Sequence, residues 1–375
     1  MSSQFMHRTR LRVIGSDLIE RLEDRLTPAA SQIPTLIGAS QFAVGEDAGG
    51  GSTVQVYNST LGTLRTTFTV PFSSNVTGGI RTAAADFGNT GVADVVAATG
   101  PGVTNQVVVL DGTTGAVLDS FQPFETTFTG GLYVTTGDVN GDGIPDLVVT
   151  PDQTGGPVVA VYDGASLARG QVTQIDRFFG INDPSFRGGA RAAVANINNE
   201  PMVVVAAGFG GGPRVAIYDG NDVAQGLAAP SEVVPDFFAF ETTLRNGVYL
   251  AAGDLNGDGN SDIVFGAGPG GAPRVRVENG QTLITDGGTY TSLDDIPSAQ
   301  LANFFAGNTN NTGGIRVSVK NLGIGGQAGI VVGSGTGDGS TVTGYTSSSL
   351  AISTNPSPIF SFNAFPGFNG GVFVG

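Results

Sequence analysis

Residues Asp138–Thr150 read DVNGDGIPDLVVT, and the two halves of that string make different demands on the chain. In the first half Asp138, Asn140 and Asp142 alternate, Gly143 permits a sharp reversal, and Asp146 closes the loop. Oxygen-bearing side chains on every second residue curl inward, the spacing of a hard-cation site, and the carbonyl of Ile144 at the seventh place adds a donor. The second half is a β-branched run, so the loop feeds a strand. The pair returns at Asp254–Gly266, DLNGDGNSDIVFG, where Asp254, Asn256, Asp258 and Asp262, with the Asn260 carbonyl, take the same places.

Each loop carries three carboxylates that would repel one another with no cation between them. Calcium, with long oxygen bonds and up to eight ligands, suits such a loop better than magnesium with its strict octahedron. An EF-hand would need Glu at the twelfth place, where Val149 and Phe265 stand, and a dockerin-type module would continue into a helix rather than LVVT or IVFG. The nine-residue period of toxin-type calcium solenoids is missing. At 86–94, DFGNTGVAD keeps Asp86 and Asp94 but has Gly88 and Thr90 at the third and fifth places, so its metal binding stays open. NINNEPM at 196–202 and NLGIGGQAG at 321–329 read as turns held by Gly and Asn. A site kept in two units of several is a local staple rather than a catalytic centre.

Working outward from the loops, the chain repeats. After a GG or NG pair a unit opens at Ile80, Leu132, Ala190, Val248 and Ile315, with IRTAAADF, LYVTTGDV, ARAAVANI, VYLAAGDL and IRVSVKNL. Each unit continues with a loop, an apolar run, a Gly/Pro turn, a third run such as VVAVYDG, and a Phe-rich segment such as RFFGINDPSFRGG. Every run is short and β-branched, so a unit is four strands, and four-stranded units of this length repeated along a chain predict blades around an axis. Small residues in the opening strands (Ala83–Ala85, Thr135–Gly137) fit crowding near that axis, and the Phe segments would wedge blades apart at larger radius. Residues 36–79 hold a unit lacking its opening strand, while VFVG at Val372–Gly375 is an opening strand lacking a unit. Joined, they close the ring and cover two sheet edges. The expectation is an all-β, six-bladed propeller over residues 31–375, its first blade closed by the C-terminal strand; an incomplete seven-bladed array is the alternative.

The string FGAGPGGAPRV at Phe265–Val275 holds FG and then GAP in the spacing of FG-GAP repeats, and from about residue 36 onward the chain resembles this VCBS-like, integrin α N-terminal-like family. The resemblance implies a β-propeller with calcium in the loop between first and second strands. It leaves the partner undecided, since propellers bind many things.

Residues 1–30 differ from the rest. They are Arg-rich, and DLIERLEDRL carries a capping box at Asp17 and Glu20 and a Leu18, Leu22, Leu26 stripe ended by Pro28. LRVIG is too short for a signal-peptide core. The run LEDRLTPA at Leu22–Ala29 resembles a segment ahead of large repeat domains in some bacterial surface proteins, which implies an exported, secreted or cell-surface protein.

The net charge is −15, which argues against nucleic acid or an anionic membrane surface as partner. No stretch approaches the ~20 apolar residues of a membrane span. There is no cysteine, and His7 is the only histidine, so thiolate sites and a His-based catalytic relay in the body are excluded. GFGGGP and GAGPGGAP lack the Lys-Ser/Thr of a phosphate loop and read as strand turns. Arg81, Arg191 and Arg316 share one place in the opening strands, where Tyr133, Tyr249 and Phe373 stand in other units. They read either as an anion-binding ring in the channel or, preferably, as packing against the adjacent blade, each guanidinium finding carbonyls. Together these features predict a non-enzymatic, calcium-binding module whose partner is a protein or glycan at the cell surface. A carbohydrate-active enzyme with paired carboxylates and a lectin are the alternatives; the absence of Trp disfavours the lectin.

Overall fold

The computed structural model describes residues 40–322, 328–351 and 354–375. Six antiparallel four-stranded sheets follow one another along the chain, and their first strands pack side by side to form a six-bladed β-propeller. Blade 1 comprises Val372–Val374, Gln41–Glu46, Thr53–Asn58 and Thr63–Thr69; blade 2, Ile80–Ala85, Asp94–Thr99, Val107–Leu110 and Val117–Phe121. Blade 3 uses Leu132–Gly137, Asp146–Pro151, Val158–Tyr162 and Gln174–Phe179; blade 4, Ala190–Ile197, Glu200–Ala207, Arg214–Asp219 and Glu232–Phe238. Blade 5 runs through Val248–Gly253, Asp262–Ala267, Arg274–Glu278 and Gln300–Phe305; blade 6, through Ile315–Asn321, Ala328–Ser334, Thr341–Thr346 and Phe360–Asn363.

Burial explains why the strands differ in pattern. In blade 2 every residue of the first three strands is buried, because neighbouring blades cover both faces, and the sequence there is a continuous apolar run rather than an alternation. The outermost strands touch solvent, and the alternation returns: Phe178 and Phe304 are buried while Phe179 and Phe305 are exposed. An inward-facing Phe of one blade meets an aromatic ring of the next, as in Phe121–Tyr162 (4.9 Å), Phe178–Tyr218 (5.2 Å), Phe304–Tyr345 (5.1 Å) and Phe362–Tyr57 (4.6 Å). Blades are therefore wedged by ring pairs at the outer radius. Each first strand is entered through a glycine with positive φ: Gly79, Gly131, Gly189, Gly247, Gly314 and Gly371. That conformation is open to glycine at no steric cost, so it punctuates the repeat.

Closure is by the expected strand. Val374, Phe373 and Val372 pair with Val44, Gly45 and Glu46, and Ala43 and Gly375 exchange backbone hydrogen bonds of 2.8 and 3.0 Å. There are six blades, not an incomplete seven.

Helical structure, which periodicity does not predict beyond residue 30, appears as short helices between third and fourth strands: Gly164–Leu167, Gly220–Ala224, Gly280–Thr285 and Ser347–Leu350. At four to six residues they are too short to show a 3.6-residue period. They are held by their N-caps Asp163, Asp219, Asn279 and Thr346. In the first three a glycine follows the cap and is required by close approach: a Cβ on Gly164 would lie 1.9 Å from the Pro145 carbonyl oxygen. Gly164→Ala is expected to cost about 3 kcal/mol by overpacking. Gly141→Ala, at positive φ but with no atom near the added carbon, should cost only the backbone strain of about 1 kcal/mol. Equal urea midpoints for the two variants would refute this account.

Among the described residues no helix is long and apolar enough to cross a membrane. The leader with its capping box and leucine stripe, the boundary at residue 30, and most of the 321–329 turn lie outside the described residues. The NINNEPM segment is a two-residue hairpin turn, Asn198 and Asn199 both having positive φ between paired Ile197 and Glu200.

Candidate metal centres and the axial channel

Both Asp-rich loops connect a first strand to a second, at the same end of blades 3 and 5. In the first, Asp138 accepts backbone N–H bonds from Gly141 (2.7 Å) and Gly143 (2.9 Å), Asn140 Oδ1 from Asp142 (2.9 Å), and Asp142 from Ile144 (2.8 Å). Asp146 is fully buried and accepts from Val139 (2.9 Å), Asn140 (3.2 Å) and Gly164 (3.0 Å). The second loop repeats this pattern. Asp254 accepts from Gly257 (2.6 Å) and Gly259 (3.0 Å), Asn256 Oδ1 from Asp258 (2.8 Å), Asp258 from Asn260 (2.8 Å), and Asp262 from Leu255 (2.9 Å) and Asn256 (3.1 Å). Asn260 turns its side-chain oxygen outward to the Asn198 N–H (2.7 Å), tying the loop to blade 4.

Among the described residues no three acidic side chains form a ready-made shell. What the loops hold instead is an amide group between carboxylates. The Asn140 Nδ2 donates at 3.4–3.5 Å to oxygens of Asp142, Asp146 and Asp163, long contacts near the limit of a hydrogen bond. In the second loop Asn256 Nδ2 lies 2.8 Å from Asp258 and 3.4 Å from Asp262, and Asn279 Nδ2 lies 2.9 and 3.5 Å from the same two carboxylates. The positive end of an amide dipole thus sits where several carboxyl oxygens face one another. The carboxylate oxygens gathered around each amide are donors of the kind a hard cation takes. Asp163 and Asn279 are additions that spacing within the loops could not reveal. The signal is the Asp/Asn-Gly pair after the third strand, whose glycine lets that strand end approach the loop.

Burial pushes the carboxyl of Asp146 up to about 7 and that of Asp262 to about 8, against the backbone donors that favour the charged form. Asp138 is raised for the same reason. At Asp258 burial pushes up too, but hydrogen bonds from Asn256, Asn260 and Asn279 outweigh it and hold the group below its ordinary value. The 86–94 loop is a reduced version: Asp86 accepts from Thr90 (2.8 Å) and Gly91 (2.6 Å), and buried Asp94, raised by burial to about 6, accepts from Gly112 (3.2 Å). It has no side-chain oxygen at its third place.

At the opposite ends of the first strands, the shared position forms a closed ring in which Phe373, Arg81, Tyr133, Arg191, Tyr249 and Arg316 alternate blade by blade. Each guanidinium carbon lies 3.9–5.5 Å from the centroids of both flanking rings. The three aromatic rings touch one another at 6.0–6.2 Å across the axis. Terminal nitrogens are anchored: Arg81 to the Gly78 carbonyl (2.6 Å) and Asp152 (3.0 Å), Arg191 to the Asn246 carbonyl (3.0 Å) and the Tyr133 hydroxyl (3.3 Å), Arg316 to the Ser334 carbonyl (3.1 Å) and Asp47. The guanidinium-to-carbonyl packing expected from sequence is present, and it faces the channel as well. The Nε–H of all three arginines is buried without a protein partner, a desolvation penalty of about 1–3 kcal/mol each if nothing else accepts it.

Below the ring the channel encloses a cavity of about 110 Å³ that reaches Lys320, the chain's only lysine. Burial pushes this ammonium down to about 8. The folded state therefore holds its proton more weakly than the unfolded chain. The penalty, about 3 kcal/mol at full strength, is present below pH 8 and disappears as pH rises toward the ordinary lysine value. Lys320→Met should raise stability at pH 7 by about that amount and leave it unchanged near pH 10.5. Parallel urea-stability curves for parent and variant from pH 7 to 10.5 would contradict it.

No family model matches the chain, and no curated protein matches it. Among solved structures it is similar to the Dos1 propeller (14% identity over 83% of this chain and 66% of that one, TM-score 0.41) and to a protein from Bacteroides caccae (11%, 89% and 99%, 0.46). Rhamnogalacturonan lyase YesW is a further neighbour (12%, 87% and 64%, 0.40). The chain spans just under two thirds of the Dos1 and YesW chains. These identities transfer no chemistry.

Proposed function

We propose that the protein is a non-enzymatic, calcium-stabilised propeller of the FG-GAP type, exported and used at the cell surface as a binding or structural module for a protein or glycan. The observation that carries the reading is the duplicated loop in blades 3 and 5, where an asparagine amide lies between a buried carboxylate, Asp146 or Asp262, and a more exposed one, Asp163 or Asp258. In blade 3 the ion would be held by Asp138, Asn140, Asp142, Asp146 and the Ile144 carbonyl, with Asp163 alongside. In blade 5 the ligands would be Asp254, Asn256, Asp258, Asp262 and the Asn260 carbonyl, with Asn279 alongside. Calcium there supplies charge compensation and turn rigidity, so its role is structural. Against catalysis by paired carboxylates, Asp47 and Asp152 at the channel are each engaged by an arginine.

The test is stoichiometry. Calorimetric titration of the chelator-treated protein should give two calcium ions per chain, and one after Asp262→Asn. Binding absent, or unchanged by that substitution, would sink the proposal.

A further inference from the structure

We propose that the axial channel is a binding site for a compact oxyanion of sulfate or phosphate size, received between the arginine ring and Lys320. The inference is independent of the calcium loops, which lie outside the channel wall.

Three observations converge on it. The first is charge. The channel lining brings together Arg81, Arg191, Arg316 and Lys320, against which stand the two carboxylates paired to the ring, Asp152 and Asp47. A surplus of two positive charges is thus concentrated on the axis of a chain whose net charge is −15. Low-dielectric walls focus such a field on an anion entering the channel.

The second is unused donor capacity. The terminal nitrogens of the arginines are spent on carbonyls, carboxylates and a hydroxyl, yet Nε of each remains without a partner although the residues are 3–5% exposed. Packing alone accounts for the anchored nitrogens and leaves this threefold remainder unexplained. An oxyanion has enough lone pairs to accept from several guanidinium N–H groups at once.

The third is Lys320 itself. It is 6% exposed on the channel wall, and among the described residues no carboxylate pairs with it. A cross-brace between blades would be served by Met or Leu without burying a charge. The wall between ring and lysine also presents hydroxyls, among them Thr135, Thr136 and Ser318.

Sulfate is a suitable probe because it stays dissolved beside millimolar calcium. Sodium sulfate is titrated calorimetrically into the full chain at constant ionic strength, with calcium held saturating. The expected result is one saturable site per chain. Lys320→Met, which removes a buried charge and should fold at least as well as the parent, is expected to weaken it tenfold or more. Arg191→Lys keeps the charge but deletes the guanidinium Nε, and is expected to weaken it similarly. Weakening in either variant supports the site. No saturable binding, or parent-like binding in both variants, overturns it.

Discussion

A chain shortened to end at Gly371 will not hold the native ring. The deletion removes Val372, Phe373 and Val374, all buried, and at about 1.5–3 kcal/mol per buried apolar side chain the loss is roughly 6 kcal/mol before hydrogen bonds are counted. The ladder bonds to Gln41–Glu46 go as well, each worth about 1 kcal/mol net. A typical total stability is about 5–15 kcal/mol, so most or all of it disappears, and the exposed edge invites pairing between chains. Phe373→Ala is the milder form. It keeps the strand but empties one place in the axial ring, and about 3–4 kcal/mol is expected from the lost ring volume. Urea unfolding followed by circular dichroism reads both. A shortened chain that melts like the parent would refute closure by this strand.

Chelation is the second large effect. A ligand at 100 times its dissociation constant adds about 2.7 kcal/mol per site, so two calcium ions would add about 5 kcal/mol and raise the melting temperature on the order of 10 °C. Asp142→Ala combined with Asp258→Ala removes a carboxylate that faces the amide in each loop, and should abolish most of the difference between calcium and chelator. The double variant should also resemble the chelated parent in absolute stability, because what it lacks is what the chelator takes away. Identical melting of the parent with and without chelator would show that the loops stand as plain acidic turns.

Much of this architecture is legible in the chain because each strand type leaves its own trace. Strands covered on both faces read as unbroken apolar runs, outer strands as alternations, and the entries to first strands as Gly-Gly or Asn-Gly pairs. The split first blade is readable because VFVG matches an opening strand with nothing after it. Less visible are contacts between units. Asp163 and Asn279 lie 25 residues after Asp138 and Asp254, in a string that looks like an ordinary turn, and only the fold carries them to the loop. The short helices are hidden for a related reason, since a capped turn of four to six residues has no period. The arginine positions are plain in the alignment of units, but their double engagement with both neighbouring rings depends on blade order around the axis, which local sequence does not encode.

The alternation of guanidinium and aromatic ring around the axis has a consequence for how this molecule can change size. Inserting or losing a single blade would set either two rings side by side or two cations side by side, each cation then short of one flanking π-face. Growth or shrinkage by two blades preserves the sequence of contacts. The conserved quantum of this propeller is thus a doublet of blades, one cationic and one aromatic at the hub, and engineered versions with four or eight blades should assemble more readily than those with five or seven.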